Sequence, residues 1–270
     1  MIIPSRLYPL SLLAGVATMI PANAATLVFS ESFDGVTAPA APTTANTGFS
    51  GVLPGDGSIG SIVSTVGDGS SAIFNGSSSS GSGAYVVKGG LAAMNVMSMG
   101  FTVRMESTVS GTLGIFAGNG NTVGNNPTNT GRNTSHMLWD IKIHTDGSIR
   151  YLPTGSNTWT TFSDFTVQDG VSYEFLIQVN NSAAAVDGVA ANSMSIYANG
   201  SLIGSGLSLR SGVSTVNGFR IGAREAENPD DLIAEIDDIR VWDGIQQIPE
   251  PSTTALLLGG TGLLARRRRG

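Results

Sequence analysis

The sequence predicts an all-β fold, an antiparallel sandwich of two sheets, and three observations carry that prediction. First, Val171, Tyr173, Phe175, Ile177 and Val179 occupy every second position, with Leu176 the one apolar residue between them. That period of two is a strand with one face on a core and one in water. Second, Asn199-Gly200 sits between two apolar runs, and this dipeptide is a strong signal for a two-residue hairpin turn. Third, the chain has 36 glycines with many Ser, Thr and Asn, and no stretch has the spacing of an amphipathic helix. Many short strands joined by turns fit that composition, and a helical bundle does not.

Taken in order, residues 26–29 are the first strand, followed by a loop at 38–57 rich in Pro, Thr and Gly. Residues 59–66, 72–74 and 84–87 are short strands, with the low-complexity loop SSSSGSG at 77–83 between the last two. Residues 101–106 alternate Phe101, Val103 and Met105 with Thr102, Arg104 and Glu106, and residues 112–117 are expected to pair with them. A polar loop covers 119–134. Residues 137–144 and 148–152 form a hairpin about Thr145-Asp146-Gly147. After the strand at 171–179 comes an Ala-rich insertion, 181–192, where a helix stays open although Gly188 opposes it. The Asn199-Gly200 hairpin, a strand at 218–222 and a closing strand at 233–242 complete the domain. Ile236 and Ile239 lie three apart, so both face inward only if a β-bulge falls near Asp237-Asp238.

Both ends lie outside this pattern. Residues 1–24 have the form of a secretory signal peptide: Arg6, an apolar stretch over 7–20, and Ala22-Asn23-Ala24 as a small-x-small site cut before Ala25. The last 23 residues begin with Pro249, Glu250 and Pro251, continue in an apolar run over 254–265, and end in Arg266, Arg267, Arg268, Arg269 and Gly270. The prolines separate the tail from the fold. The apolar run is shorter than the ~20 residues of a stable span. Arginines beyond it stay on the cytoplasmic side, which makes the tail a transient membrane stop with the domain outside. The chain thus divides into 1–24, a single domain at 25–247, and 248–270.

Charge and cysteine content narrow the function. All 20 acidic residues lie between Glu31 and Glu250 with only nine basic ones, a charge near −11. Nucleic acid and anionic membranes need a basic face, so neither is a partner of the domain. The chain has no cysteine, which removes disulfides, zinc–thiolate sites and a Cys nucleophile.

The tail resembles the PEP-CTERM sorting signal of Gram-negative bacteria, on Pro249-Glu250-Pro251, the Leu/Gly run and the arginine cluster. The resemblance implies recognition by an exosortase, a membrane cysteine protease that removes the tail, and delivery to the surface or extracellular matrix; with the signal peptide, the Sec machinery is the other expected partner. Residues 171–244 resemble a LamG-like, concanavalin A-like jelly roll. The carrying residues are the hairpin Ile196-Tyr197-Ala198-Asn199-Gly200, the strand Phe219-Arg220-Ile221-Gly222-Ala223-Arg224 and the strand Glu235-Ile236-Asp237-Asp238-Ile239-Arg240-Val241-Trp242. That fold hosts lectins, glucanases and adhesion modules, so it leaves the function open.

Candidate chemistry is sparse. Glu235-Ile236-Asp237 resembles the carboxylate strand of laminarinase-type glucanases, but Arg240 stands where their last Glu stands and can neither donate a proton nor act as base. The expected role is structural: Asp237 and Asp238 fix a bulge and Arg240 pairs with a carboxylate. Glu225, Glu227, Asp230 and Asp231 crowd one loop and are the candidate Ca²⁺ ligands, against a plain solvated loop. His136 and His144 lack a Gly-x-Ser-x-Gly nucleophile turn, and His144 faces away from Trp139, Ile141 and Ile143. Of the aromatic residues able to stack on a sugar ring, Trp139 and Trp242 read as core, Tyr151 is a further surface, and Trp159, in a polar loop, is the ligand candidate. No residue reads as catalytic. The reading is an exported, non-catalytic surface or matrix protein whose domain binds carbohydrate. A secreted glycoside hydrolase and a purely structural surface protein stay open beside it.

Overall fold

A computed structural model describes residues 24–53, 59–67, 69–75, 84–106, 110–119, 136–210, 212–224 and 232–248. Among these residues there are fifteen strands and no helix. Sheet A is built from β1 (Thr26–Glu31), β3 (Ile59–Val63), β4 (Ser70–Asn75), β6 (Val96–Met105), β11 (Ser172–Asn180), β12 (Ser193–Ala198), β13 (Ser201–Ser208) and β15 (Leu232–Asp243). Sheet B holds β2 (Gly51–Leu53), β5 (Ala84–Lys88), β7 (Thr112–Gly118), β8 (Met137–His144), β9 (Ser148–Tyr151), β10 (Thr160–Thr166) and β14 (Gly218–Arg224). The strand orders are β13-β12-β11-β6-β15-β4-β3, with β1 also on β15, and β10-β9-β8-β7-β14-β5-β2. The paired strands run antiparallel throughout.

The two sheets bury one continuous core, as a sandwich requires. Sheet A contributes Met97, Met99, Phe101 and Val103 of β6 and Tyr173, Phe175, Ile177 and Val179 of β11. Phe101 and Phe175 stack at 5.6 Å between ring centres. Sheet B supplies Ile115, Trp139, Ile141, Phe219 and Ile221. Phe29 and Phe49 close one end against Phe219, at 5.5 and 6.4 Å. The alternation in β11 is therefore the core pattern expected of it, except that Val171 falls just outside the strand and is 40% exposed.

Both hairpins form. Gly147 (φ 84°) turns the first, and Asn199 (φ 48°) with Gly200 (φ 74°) turns the second with both central residues left-handed. The bulge in β15 is also present. Asp238 takes φ 53°, the register on β6 breaks between Asp237 and Arg240, and Ile236 and Ile239 are both fully buried. The bulge marks a change of partner on the other edge: β15 pairs with β4 before it and with β1 after it.

Two expectations are corrected and one open alternative is closed. Residues 112–117 do not pair with 101–106, because β7 lies in sheet B between β8 and β14 while β6 lies between β11 and β15 in sheet A. Nearness in sequence gave the wrong partner because the chain crosses between sheets there. Residues 181–192 form no helix. Asp187 and Gly188 are both left-handed, Val186 and Val189 exchange two backbone hydrogen bonds, and buried Asn180 donates to the carbonyls of Ala184, Val189 and Ala190. Trp242, finally, is half-exposed on the outer face of sheet A and not in the core.

Candidate functional site

The outer face of sheet A holds a groove whose position follows from strand parity. With Met99 and Phe101 inward, Ser98, Gly100 and Thr102 of β6 point outward. In β11 the outward residues are Glu174, Leu176 and Gln178, and in β12 they include Tyr197. Past the bulge, Ile239 and Val241 are buried, so Arg240 and Trp242 face out. Register then aligns Tyr197, Leu176, Gly100 and Arg240 in one row across four strands. Trp242 stands in the next row, opposite Ser98.

Gly100 is the key to this surface. A Cβ there would come within 3.2 and 3.3 Å of Cζ3 and Cη2 of Trp242, so the indole lies over bare backbone. Glycine inside a strand commonly marks such a close approach. Tyr197 and Leu176, both half-buried, continue the apolar surface from the indole. Two adjoining cavities of about 440 and 180 Å³ share Gly100, Glu174, Arg240 and Trp242. Polar groups stand around them. Arg240 Nη2 donates to Asp238 Oδ1 at 2.8 Å, with both side chains well exposed. Asn199 Oδ1 accepts from the Glu174 amide at 2.8 Å, which clips the β12–β13 turn to β11.

The remaining wall is a strap, residues 244–248, laid across sheet A. The Gly244 amide donates to the Val96 carbonyl at 3.1 Å. Ser98 Oγ donates to the Gly244 carbonyl at 3.0 Å and accepts from the Gln246 amide at 2.8 Å. Gln178 Nε2 donates to the Gln246 carbonyl at 2.8 Å. Ile245 is buried, and Ile248 reaches the turn glycine Gly200.

The carboxylates of β15 before the bulge are held inside the fold. Glu235 accepts from the Thr65 amide at 2.7 Å, from Ser71 Oγ at 2.5 Å and from Thr65 Oγ1, with Arg104 Nε at 3.8 Å. Asp237 accepts from Ser64 Oγ at 2.9 Å and from the Asp238 amide at 2.7 Å. Each is 1% exposed. Burial pushes the Asp237 carboxyl up to about 6, against the lowering effect of its two hydrogen bonds. Gly67 permits this packing, since a Cβ there would sit 2.6 Å from Asp237 Oδ2. Asp237 and Asp238 thus build the bulge and Arg240 has its carboxylate.

The other sequence candidates are scattered. Trp159 is half-exposed between β9 and β10, with Lys142 Nζ 4.8 Å from its ring centre, so one face of the indole carries an ammonium. Trp139 is buried in the core; Tyr151 packs on Phe162 at 5.6 Å. His136 and His144 are half-buried at the two ends of β8. Ala24 and Ala25 directly precede β1, so cutting before Ala25 would leave the mature chain starting at its first strand. Ala22, Glu225, Glu227, Asp230, Asp231 and the tail residues Pro249, Glu250, Pro251, Arg266, Arg267, Arg268 and Arg269 lie outside the described residues. Tyr197, Leu176 and Gly100 were not among the sequence candidates, and Trp242 was weighed as a sugar-stacking surface but read as core. Leu176 breaking the alternation of β11 and a lone glycine within β6 were the available signals.

An all-β, two-sheet sandwich with an apolar groove on an outer face defines the class of protein. Residues 247–269 match the PEP-CTERM protein-sorting motif. The motif implies exosortase processing, membrane association of the C-terminus, and export to the cell surface of a Gram-negative bacterium. Curated protein sequences gave no match. Among solved structures, the chain is similar to domain 4 of AbnA, an extracellular arabinanase of Geobacillus stearothermophilus in complex with arabinotriose, at 16% identity and TM-score 0.49, covering 83% of this chain and 95% of that one. It is similar to the binding domain of Paraclostridial Mosquitocidal Protein 1 at 15% identity and TM-score 0.48, over 82% of this chain and 50% of that one. The Botulinum neurotoxin serotype G binding domain shows 12% identity and TM-score 0.48, over 86% and 51%.

Proposed function

We propose that the protein is an exported, non-catalytic surface or matrix protein whose sandwich binds polysaccharide in the sheet A groove. The observation that carries this reading is Trp242 lying over Gly100, with Tyr197 and Leu176 beside it. Pyranose rings have apolar faces that stack on aromatic rings, and their hydroxyls need donors and acceptors at the edge. Arg240, Glu174 and Asn199 supply these. The indole is set on backbone, so it loses little freedom when a ligand arrives. Trp159, already covered on one face by Lys142, is the weaker platform.

The test is binding of the chain from Ala25 to Ile248 to a panel of neutral and acidic polysaccharides, with calcium and with chelator. Trp242→Ala should weaken binding about tenfold or more, with the circular dichroism spectrum unchanged, while Trp159→Ala leaves it intact. Unaltered binding by the Trp242 variant would remove the groove from consideration. Loss of binding with chelator would add Ca²⁺, with Glu225, Glu227, Asp230 and Asp231 as its candidate ligands. Sugar release from any polymer would favour the hydrolase reading.

A further inference from the structure

The charges around the groove do not balance. Arg240 and Asp238 are tied to each other, Nη2 to Oδ1 at 2.8 Å, so the cation of the groove already has its counter-ion. Glu174 lines both cavities and is exposed, and among the described residues its carboxylate enters no ion pair. Its backbone, by contrast, is fixed. The amide donates to Asn199 Oδ1 and the carbonyl accepts from the Asn199 amide, both at 2.8 Å. Glu174 stands opposite Thr102 of β6, two residues along the outer face from Leu176, which stands opposite Gly100. The bare backbone of Gly100 leaves the Trp242 indole and the Glu174 carboxylate lining one space.

We propose that the groove takes a polymer of amino sugars with free, protonated amines, and that Glu174 is the residue that selects it. The proposal rests on the polysaccharide reading above and names the class of polymer. A sugar ring stacked on Trp242 presents its substituents at the ring edge, inside the space that Glu174 lines. An ammonium there completes an ion pair that the fold leaves open, whereas a uronate meets a like charge. A neutral sugar gains the stacking and the hydroxyl contacts but not the pair. The domain is strongly acidic as a whole, so it draws in a cationic polymer and repels an anionic one before contact. The strands also set the length of the ligand. From Tyr197 on β12 through Leu176 and Gly100 to Arg240 on β15, neighbouring strands are spaced by about 4.8 Å. A repeat of an extended pyranose chain is about as long as that spacing, so a tetrasaccharide spans the row.

The experiment uses the chain from Ala25 to Ile248, which contains both sheets and the whole described core. Two β-1,4-linked ligands that differ only at the C2 substituent are titrated by calorimetry: a glucosamine tetrasaccharide with its amines protonated, and cellotetraose, which has hydroxyls there. The glucosamine ligand should bind about three- to fivefold more tightly, the size of an exposed ion pair. Glu174→Gln keeps shape and hydrogen bonding; it should erase the preference and leave cellotetraose affinity unchanged. Asp187→Asn is the control, removing the same charge from the exposed loop past the far end of β11. Asn is tolerated in the left-handed conformation of that position. From Glu174 to the end of β11 the strand runs roughly 20 Å, well beyond the Debye length of about 8 Å at about 0.15 M salt. This control should leave the preference intact. Equal affinity for the two ligands overturns the proposal. A preference that survives Glu174→Gln, or falls equally with Asp187→Asn, overturns it as well, since attraction to the whole domain would then account for it. Binding of neither ligand also overturns it. The groove reading is judged apart, by Trp242→Ala on the polymer selected from the panel.

Discussion

At the residue scale, Asp237 shows how a buried carboxylate is tolerated and what it costs. It has two donors and little else, so desolvation dominates and the carboxyl titrates near 6. An unfolded aspartate titrates near 4. The folded chain thus binds this proton more tightly, and the contribution of Asp237 to stability is full below about pH 4, declines as pH rises to about 6, and is flat above. Asp237→Asn keeps an acceptor and removes the charge. It should flatten that decline and raise stability at pH 7 by about 3 kcal/mol at most. Urea unfolding across pH 4 to 8 measures it; a slope identical to that of the parent chain would refute the account.

At the element scale, β15 is the strand that organises sheet A. Its first half pairs with β4, its second with β1, and β6 runs along both. Glu235 fastens the turn after β3 to this strand through Thr65 and also accepts from Ser71 of β4. Glu235→Ala would leave these donors without their carboxylate inside the fold, while Arg104 keeps its pair with Glu106. A loss of about 2–4 kcal/mol is expected, seen as a lower urea midpoint with an unchanged slope. Glu235→Gln, retaining an acceptor, should lose less. Equal stability of the Ala variant would mean that the turn is held by other contacts.

The bulge in the same strand explains what was and was not legible. Ile236 and Ile239 announced it in the sequence, because both are apolar and three apart. Carried two residues further, the same parity turns Val241 inward and Trp242 outward. Reading Trp242 as core left this parity out, and the structure reverses it. The hairpins at Asp146-Gly147 and Asn199-Gly200 were legible because turn geometry is a local property of those residues. The partners of β7 were not, since no local feature of 112–117 distinguishes a neighbour in one sheet from a neighbour in the other.

At the scale of the whole molecule, the domain and its sorting motif are joined through one sheet. The first strand, β1, pairs with β15, and the strap leaves β15 toward the sorting motif, so both ends of the domain emerge on one sheet. Expressed together with an exosortase, the wild-type chain should lose its C-terminal segment, seen as a drop in mass. Pro249→Ala and Glu250→Ala should keep it. Equal processing of all three would count against recognition through these residues.

The sequence alone determined the sorting segment, because it is read as a linear pattern of charge, apolarity and proline. It also determined the all-β class and most strands, because side-chain alternation and turn residues are local. Only the tertiary structure decided which strands share a sheet, that Trp242 lies outside on Gly100, and that the sorting tail departs from the rim of that surface. These depend on contacts between residues far apart in the chain, as when Trp242 comes to rest on Gly100, and no local pattern records which distant backbone a side chain will meet.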